Sequence, residues 1–129
     1  WLSRACLPGM LKKGWGRIVN FAGMNAIHGH AGRAPVSVAK HGVWGLTKAL
    51  AMEFGPKGIT ANTISPGPIA PDVEEKNASA QARQQTVAKV PLGRMGTPAE
   101  VAAAARLLIS EGGAYINGQM IQVNGGAET

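Results

Sequence analysis

Apolar side chains recur every three or four positions between residues 36 and 54. Val36, Ala39, Val43, Leu46, Leu50 and Phe54 form one stripe, the pattern of a helix that turns one face to a core. Pro35 suits the first turn of that helix, where a missing N–H costs nothing. Gly55-Pro56 is expected to stop it, with Gly55 taking the left-handed conformation. Residues 59–64 then read as a short strand rich in β-branched side chains, and Ser65-Pro66-Gly67-Pro68 breaks it. Helix, tight turn, strand and Pro/Gly loop make half of a parallel α/β unit. In open parallel sheets, ligands bind at loops on the carboxyl ends of strands.

The same reading extends along the chain. Residues 1–13 are predicted as a helix with Leu2, Cys6 and Met10 on one face, kinked at Pro8 and closed by Gly14. Residues 17–22 form a strand that is mostly apolar on both faces, as in a buried parallel sheet. Gly14-Trp15-Gly16 does not fit a phosphate-binding glycine motif, because it leaves a helix and enters a strand. Residues 23–35 read as a loop and residues 68–71 as extended chain. Asp72 and Glu75 resemble a capping box for a polar helix running to about Lys89, whose thin apolar face suggests mobility. Thr97, Pro98 and Glu100 are the start signals of another helix, with Val101, Ala105 and Leu108 as its buried stripe. Residues 119–123 form the last strand. Three strands and four or five helices result, and helical crossovers imply that the strands are parallel.

Composition changes this picture little. The 129 residues are uniform in character and suffice for one core. Cys6 is the only cysteine, so no internal disulfide is possible and nothing points to an oxidising compartment. No signal peptide is visible and no apolar run is long enough to span a bilayer, so a cytoplasmic protein without membrane association is expected. The chain begins at Trp1 rather than Met, as it would at a cloning boundary. The net charge of +6 favours anionic ligands. Nucleic acid is not the expected partner, since Lys and Arg are scattered and no aromatic residues interleave with them. His28, His30 and His41 have the spacing of a possible zinc site, but no carboxylate or cysteine accompanies them, so no metal is expected.

Asn20 after a strand, Lys40 early in a long helix, Gly-Leu-Thr-Lys-Ala-Leu-Ala at 45–51, Gly-Ile-Thr-Ala-Asn at 58–62 and Ser-Pro-Gly at 65–67 stand in one order. Pro-Leu-Gly-Arg at 91–94, Thr-Pro-Ala-Glu-Val at 97–101 and Asn117-Gly118-Gln119 follow. This series resembles the short-chain dehydrogenase/reductase family, over nearly the whole chain but only the C-terminal half of a usual member. The resemblance implies an α/β fold, a partial doubly wound (Rossmann-like) parallel sheet whose three strands are the last three of seven. It further implies that the N-terminal dinucleotide-binding half is absent.

In that family a Tyr exchanges a proton with the carbonyl or alcohol oxygen. A Lys four residues later lowers the Tyr pKa and holds the nicotinamide ribose, and a Ser orients the substrate oxygen. Carried over by the flanking residues, Lys40 fills the Lys position. The Tyr position is Val36 and the Ser position is Gly23. An Asn that some relatives supply would precede Trp1. Ser37 adjoins Val36, but one helical step turns it by about 100°. Pro66, Gly67 and Ile69 would line the nicotinamide end, with the Ile69 backbone on the carboxamide. Pro71 stands where relatives often carry Thr. Asp72, Glu74 and Glu75 lie where relatives close a lid over substrate. The resemblance therefore implies an NAD- or NADP-linked oxidoreductase acting on a small carbonyl or alcohol, truncated and impaired in hydride transfer.

Two alternatives belong to other classes. Ser37-Val38-Ala39-Lys40 has the Ser-x-x-Lys spacing of serine hydrolases and esterases, where Lys deprotonates Ser. A non-catalytic oligomerising fragment is the other. An apolar strand edge stripped of neighbours seeks pairing, and relatives associate through the equivalents of the 36–54 helix and the last strand. A homo-oligomer is expected.

Overall fold

A computed structural model describes residues 2–29, 31–71 and 79–128. Among these, helix α1 (Leu2–Lys13) leads to strand β1 (Gly16–Phe21), and helix α2 (Ala34–Phe54) to strand β2 (Ile59–Pro66). Helices α3 (Ala80–Val87) and α4 (Pro98–Ile109) precede strand β3 (Met120–Val123). The strands are parallel and ordered β1-β2-β3, with Asn20 opposite Thr63 and Ile64 opposite Ile121. The expected α/β architecture is present.

Strand β2 is central, and seven of its eight residues are buried. Its alternate side chains serve two faces. Ile59 and Ala61 join Ile18, Leu50 and Ala51 in a cluster completed by Leu7, Met10 and Phe54, so α1 and α2 cover this face. Helix α4 packs against all three strands and buries Leu108. Strand β1 lies at the edge, and its burial alternates instead of being complete on both faces as expected; Phe21 is half exposed.

Several expected details differ. In α1 the inward residues are Leu7 and Met10, whereas Leu2 and Cys6 are exposed. Pro8 lies within the helix. In α2 the face is rotated by about one residue. Ser37, Lys40, Val43, Thr47, Leu50 and Ala51 lie on the more buried side, while Val36, Ala39 and Leu46 are exposed. The apolar stripe misled because polar Thr47 is fully buried through hydrogen bonds to neighbouring elements. Gly55 is right-handed helical and opens a 3₁₀ turn (Gly55–Lys57). Gly58 takes the left-handed conformation, φ 78°. A Cβ on Gly58 would collide with the Gly14 carbonyl. Strand β2 runs two residues past Ile64, since Ser65 and Pro66 pair with Gln122 and Val123. The expected cap at Asp72 and Glu75, and the lid at Asp72, Glu74 and Glu75, lie outside the described residues. The cap of α3 is Ser79, whose hydroxyl accepts from the Ala82 amide at 3.1 Å. The capping box of α4 is as expected, with Thr97 and Glu100 exchanging hydrogen bonds.

Candidate functional site

The carboxyl end of the sheet brings together most of the residues singled out in the sequence. Strand β1 ends at Phe21, and Gly23 follows with φ 104° and ψ 172°, a conformation that only glycine adopts readily. From there the chain makes a 3₁₀ turn (Met24–Ala26) and enters α2 through Arg33 and Pro35. Val36 lies in the first turn of α2, 41% exposed, and presents only methyl groups. Lys40, one turn later, donates from Nζ to the Phe21 carbonyl at 3.3 Å. That bond ties α2 to the end of β1 beside Gly23.

Ser37 is on the same side of α2 as Lys40, but its Oγ is buried and has no hydrogen-bond partner. Its backbone carbonyl faces His41 Nδ1 at 2.9 Å. The Lys40 ammonium is engaged with Phe21, not with Ser37. The geometry does not assemble a Ser-Lys nucleophile, and the hydrolase alternative is set aside.

Below this end lies a polar chain that the sequence reading did not assemble. Asn20 Nδ2 donates to Thr47 Oγ1 at 2.9 Å. Thr47 Oγ1 lies 2.7 Å from Thr63 Oγ1 and donates to the Val43 carbonyl at 2.9 Å. With its proton on Val43, Thr47 must accept from both Asn20 and Thr63. The three side chains join β1, α2 and β2 just beneath Phe21 and Lys40. The alternation in β1 and β2 was the available signal, because it puts Asn20 and Thr63 opposite each other.

The Pro66–Ile69 loop is built from backbone constraints. Gly67 donates to the Val123 carbonyl at 3.0 Å, and a Cβ there would strike Asn124. Ile69 bridges Gly96 in parallel fashion, using the Ala70 amide and the Pro68 carbonyl. This pairing turns the N–H and C=O of Ile69 itself to the opposite side, the donor and acceptor that a carboxamide requires.

His28 Nε2 lies 3.0 Å from Glu128 Oε2, and this carboxylate is 8% exposed. His28 thus meets a carboxylate from the chain's far end, and His41 a backbone carbonyl. His30 lies outside the described residues. Arg94 grips Glu100 through both Nη atoms, at 3.0 and 2.6 Å. That bond, with the Thr97 amide, holds the Glu100 carboxyl at a pKa of about 2.

A family model described as enoyl-(acyl carrier protein) reductase matches residues 1–128. The chain belongs to the short-chain dehydrogenase/reductase family. It is 45% identical over 125 residues to 3-oxoacyl-(acyl-carrier-protein) reductase FabG of Vibrio cholerae, covering 97% of this chain and 51% of that protein. The corresponding reductase of Pseudomonas aeruginosa is 42% identical, with 97% and 50% covered. Among solved structures, gluconate 5-dehydrogenase from Burkholderia cenocepacia in complex with NADP and tartrate superposes with a TM-score of 0.88 at 28% identity. That match covers 97% of this chain and 49% of that one. The chain spans about half the length of the curated relatives it matches. Among its described residues no helix is long and apolar enough to cross a membrane.

Proposed function

We propose that this chain carries the nicotinamide-facing half of a short-chain dehydrogenase/reductase fold, and that its own proton-transfer centre is impaired. The observation that carries the reading is the pairing of an intact Lys40 with a methyl-bearing Val36 four residues earlier. Gly23, at the position of the orienting hydroxyl, has no side chain. NAD or NADP supplies or accepts a hydride at its nicotinamide ring when bound. Lys40 fits the ribose of that group, and the outward N–H and C=O of Ile69 fit its carboxamide. Gly67 lets the loop approach Asn124 closely enough to hold Ile69 in place.

Proton transfer is where the chemistry fails. Neither Val36 nor Gly23 can move a proton to a carbonyl oxygen. A positioned acid or base contributes about 10²- to 10⁴-fold in rate. Lys40 alone cannot replace it, because its ammonium is held on the Phe21 carbonyl. Substrates of the small carbonyl or alcohol type would therefore be bound without useful turnover. The exposed, unpaired Cys6 suits a reducing, cytoplasmic setting.

Fluorescence titration of the purified chain with NADPH and NADH tests the cofactor part. Weak saturable binding that Lys40→Gln further weakens is expected. No binding of either nucleotide would contradict the assignment of Lys40 and Ile69. Self-association is a second reading, favoured by the apolar side chains on the outer face of α2: Val38 is 73% and Met52 80% exposed.

A further inference from the structure

We infer that the cleft between α3, the entry to α2 and the C-terminal segment takes a small hydroxylated carboxylate. This deepens the reading above, on which it rests for placing the cleft beside the nicotinamide end. The cleft measures about 760 Å³. Among the described residues, Arg33, Lys89, Gln85, Thr86 and Glu128 line it, with Met24 as the only large apolar side chain. The other described lining residues are alanine and proline.

Three features set the ligand's chemistry. First, Arg33 and Lys89 face the cleft from opposite elements, and neither has an ion-pair partner among the described residues. Arg33 is also the N-cap of the 21-residue helix α2. That helix has no acidic residue in its first turn and no side-chain cap. Its positive end and the two cations together favour a carboxylate. Second, the Glu128 carboxylate is nine-tenths buried yet Oε2 makes no aligned hydrogen bond, despite His28 at 3.0 Å. A buried carboxylate with spare acceptor capacity suits a hydroxyl donor, and it repels a second anionic group. Third, the scarcity of large apolar side chains among the described lining residues disfavours a long acyl chain, which needs apolar surface to bury. Carboxylate toward Arg33 and Lys89, hydroxyls toward Glu128, Gln85 and Thr86, is the arrangement that satisfies all three.

Isothermal titration of the nucleotide-free chain with D-gluconate, sorbitol and acetate tests this. Sorbitol keeps the hydroxyls without the carboxylate, and acetate the reverse. Gluconate should bind saturably, and the other two weaker by about tenfold or more. Arg33→Gln and Lys89→Gln should each weaken gluconate by about tenfold, and Glu128→Gln should narrow the gap between gluconate and acetate. Equal behaviour of the three ligands overturns the inference, as does unchanged gluconate affinity in both Arg33→Gln and Lys89→Gln. The ligand comparison needs no variant, so a misfolded substitution leaves the test standing. NADPH binding without gluconate binding defeats this inference alone. Gluconate binding without NADPH binding defeats only the cofactor assignment.

Discussion

On the proposed reading, Gly23 and Val36 stand where the family's two hydroxyls would be, and they differ in how readily each would accept a hydroxyl-bearing side chain. Space around Gly23 is open, since an added Cβ would meet nothing within 4 Å. Its backbone is the obstacle, because φ 104° with ψ 172° is disfavoured for any side chain. Gly23→Ser should therefore lower stability by about 1–3 kcal/mol, measured by urea unfolding. Val36→Tyr should be close to neutral, because Val36 is 41% exposed in a helical turn. Equal losses at the two sites would show that the strain at Gly23 is not real. Thr47 is the other decisive residue. Thr47→Val keeps the shape but strips Asn20 and Thr63 of their common partner in a buried setting. Leaving a buried polar group unpaired costs about 1–3 kcal/mol, so the urea midpoint should fall clearly. A loss no larger than that of an exposed Thr→Val change would exclude a structural role for the chain of three side chains.

The type and order of the elements were legible in the sequence, because periodicity, capping residues and Pro/Gly breaks each reflect local physics. The start of α4 is the clearest case: Thr97, Pro98 and Glu100 act through bonds within four residues. Faces and partners were less legible, since they depend on what packs across. Val36, Ala39 and Leu46 form an apolar stripe as good as the true inner one. Only the partners of Thr47 on β1 and β2 decide that a polar face points inward. The same limit hid His28 and Glu128, which are 100 residues apart and meet through the fold. Lys40, by contrast, stands out from its flanking residues alone, and its Nζ on α2 donates to the Phe21 carbonyl at the end of β1.

The α4 clip also titrates. Arg94 first, then the Thr97 amide, hold Glu100 at a pKa of about 2, below the ordinary carboxylate range. A depressed carboxyl pKa stabilises the fold above the unfolded-state pKa, and that contribution is lost as pH falls through the folded-state value. The wild-type advantage over Glu100→Gln in thermal unfolding should therefore be constant near neutrality. It should shrink as pH drops from the ordinary carboxylate range toward 2. An advantage independent of pH would mean that the pair contributes packing, not charge.

At the scale of the whole molecule, the sheet is covered unevenly. Strand β2 is buried on both faces, whereas β1 offers an edge that is unpaired among the described residues. The outer face of α2 exposes Val38, Leu46 and Met52. Burying such side chains is worth about 25 cal/mol per Å² of apolar surface, which favours self-association. Light scattering at micromolar concentration should give a mass at least twice the 13.3 kDa of one chain. A monomer would show that neither surface is sticky enough to pair.

On the proposed reading, this polypeptide keeps the nicotinamide-end lysine while lacking the groups that move the proton. Following NADPH absorbance with the pure chain and a panel of small ketones tests it most directly. No oxidation above the background without ketone is expected, and steady, saturable ketone-dependent oxidation would show that the proton-transfer centre is intact.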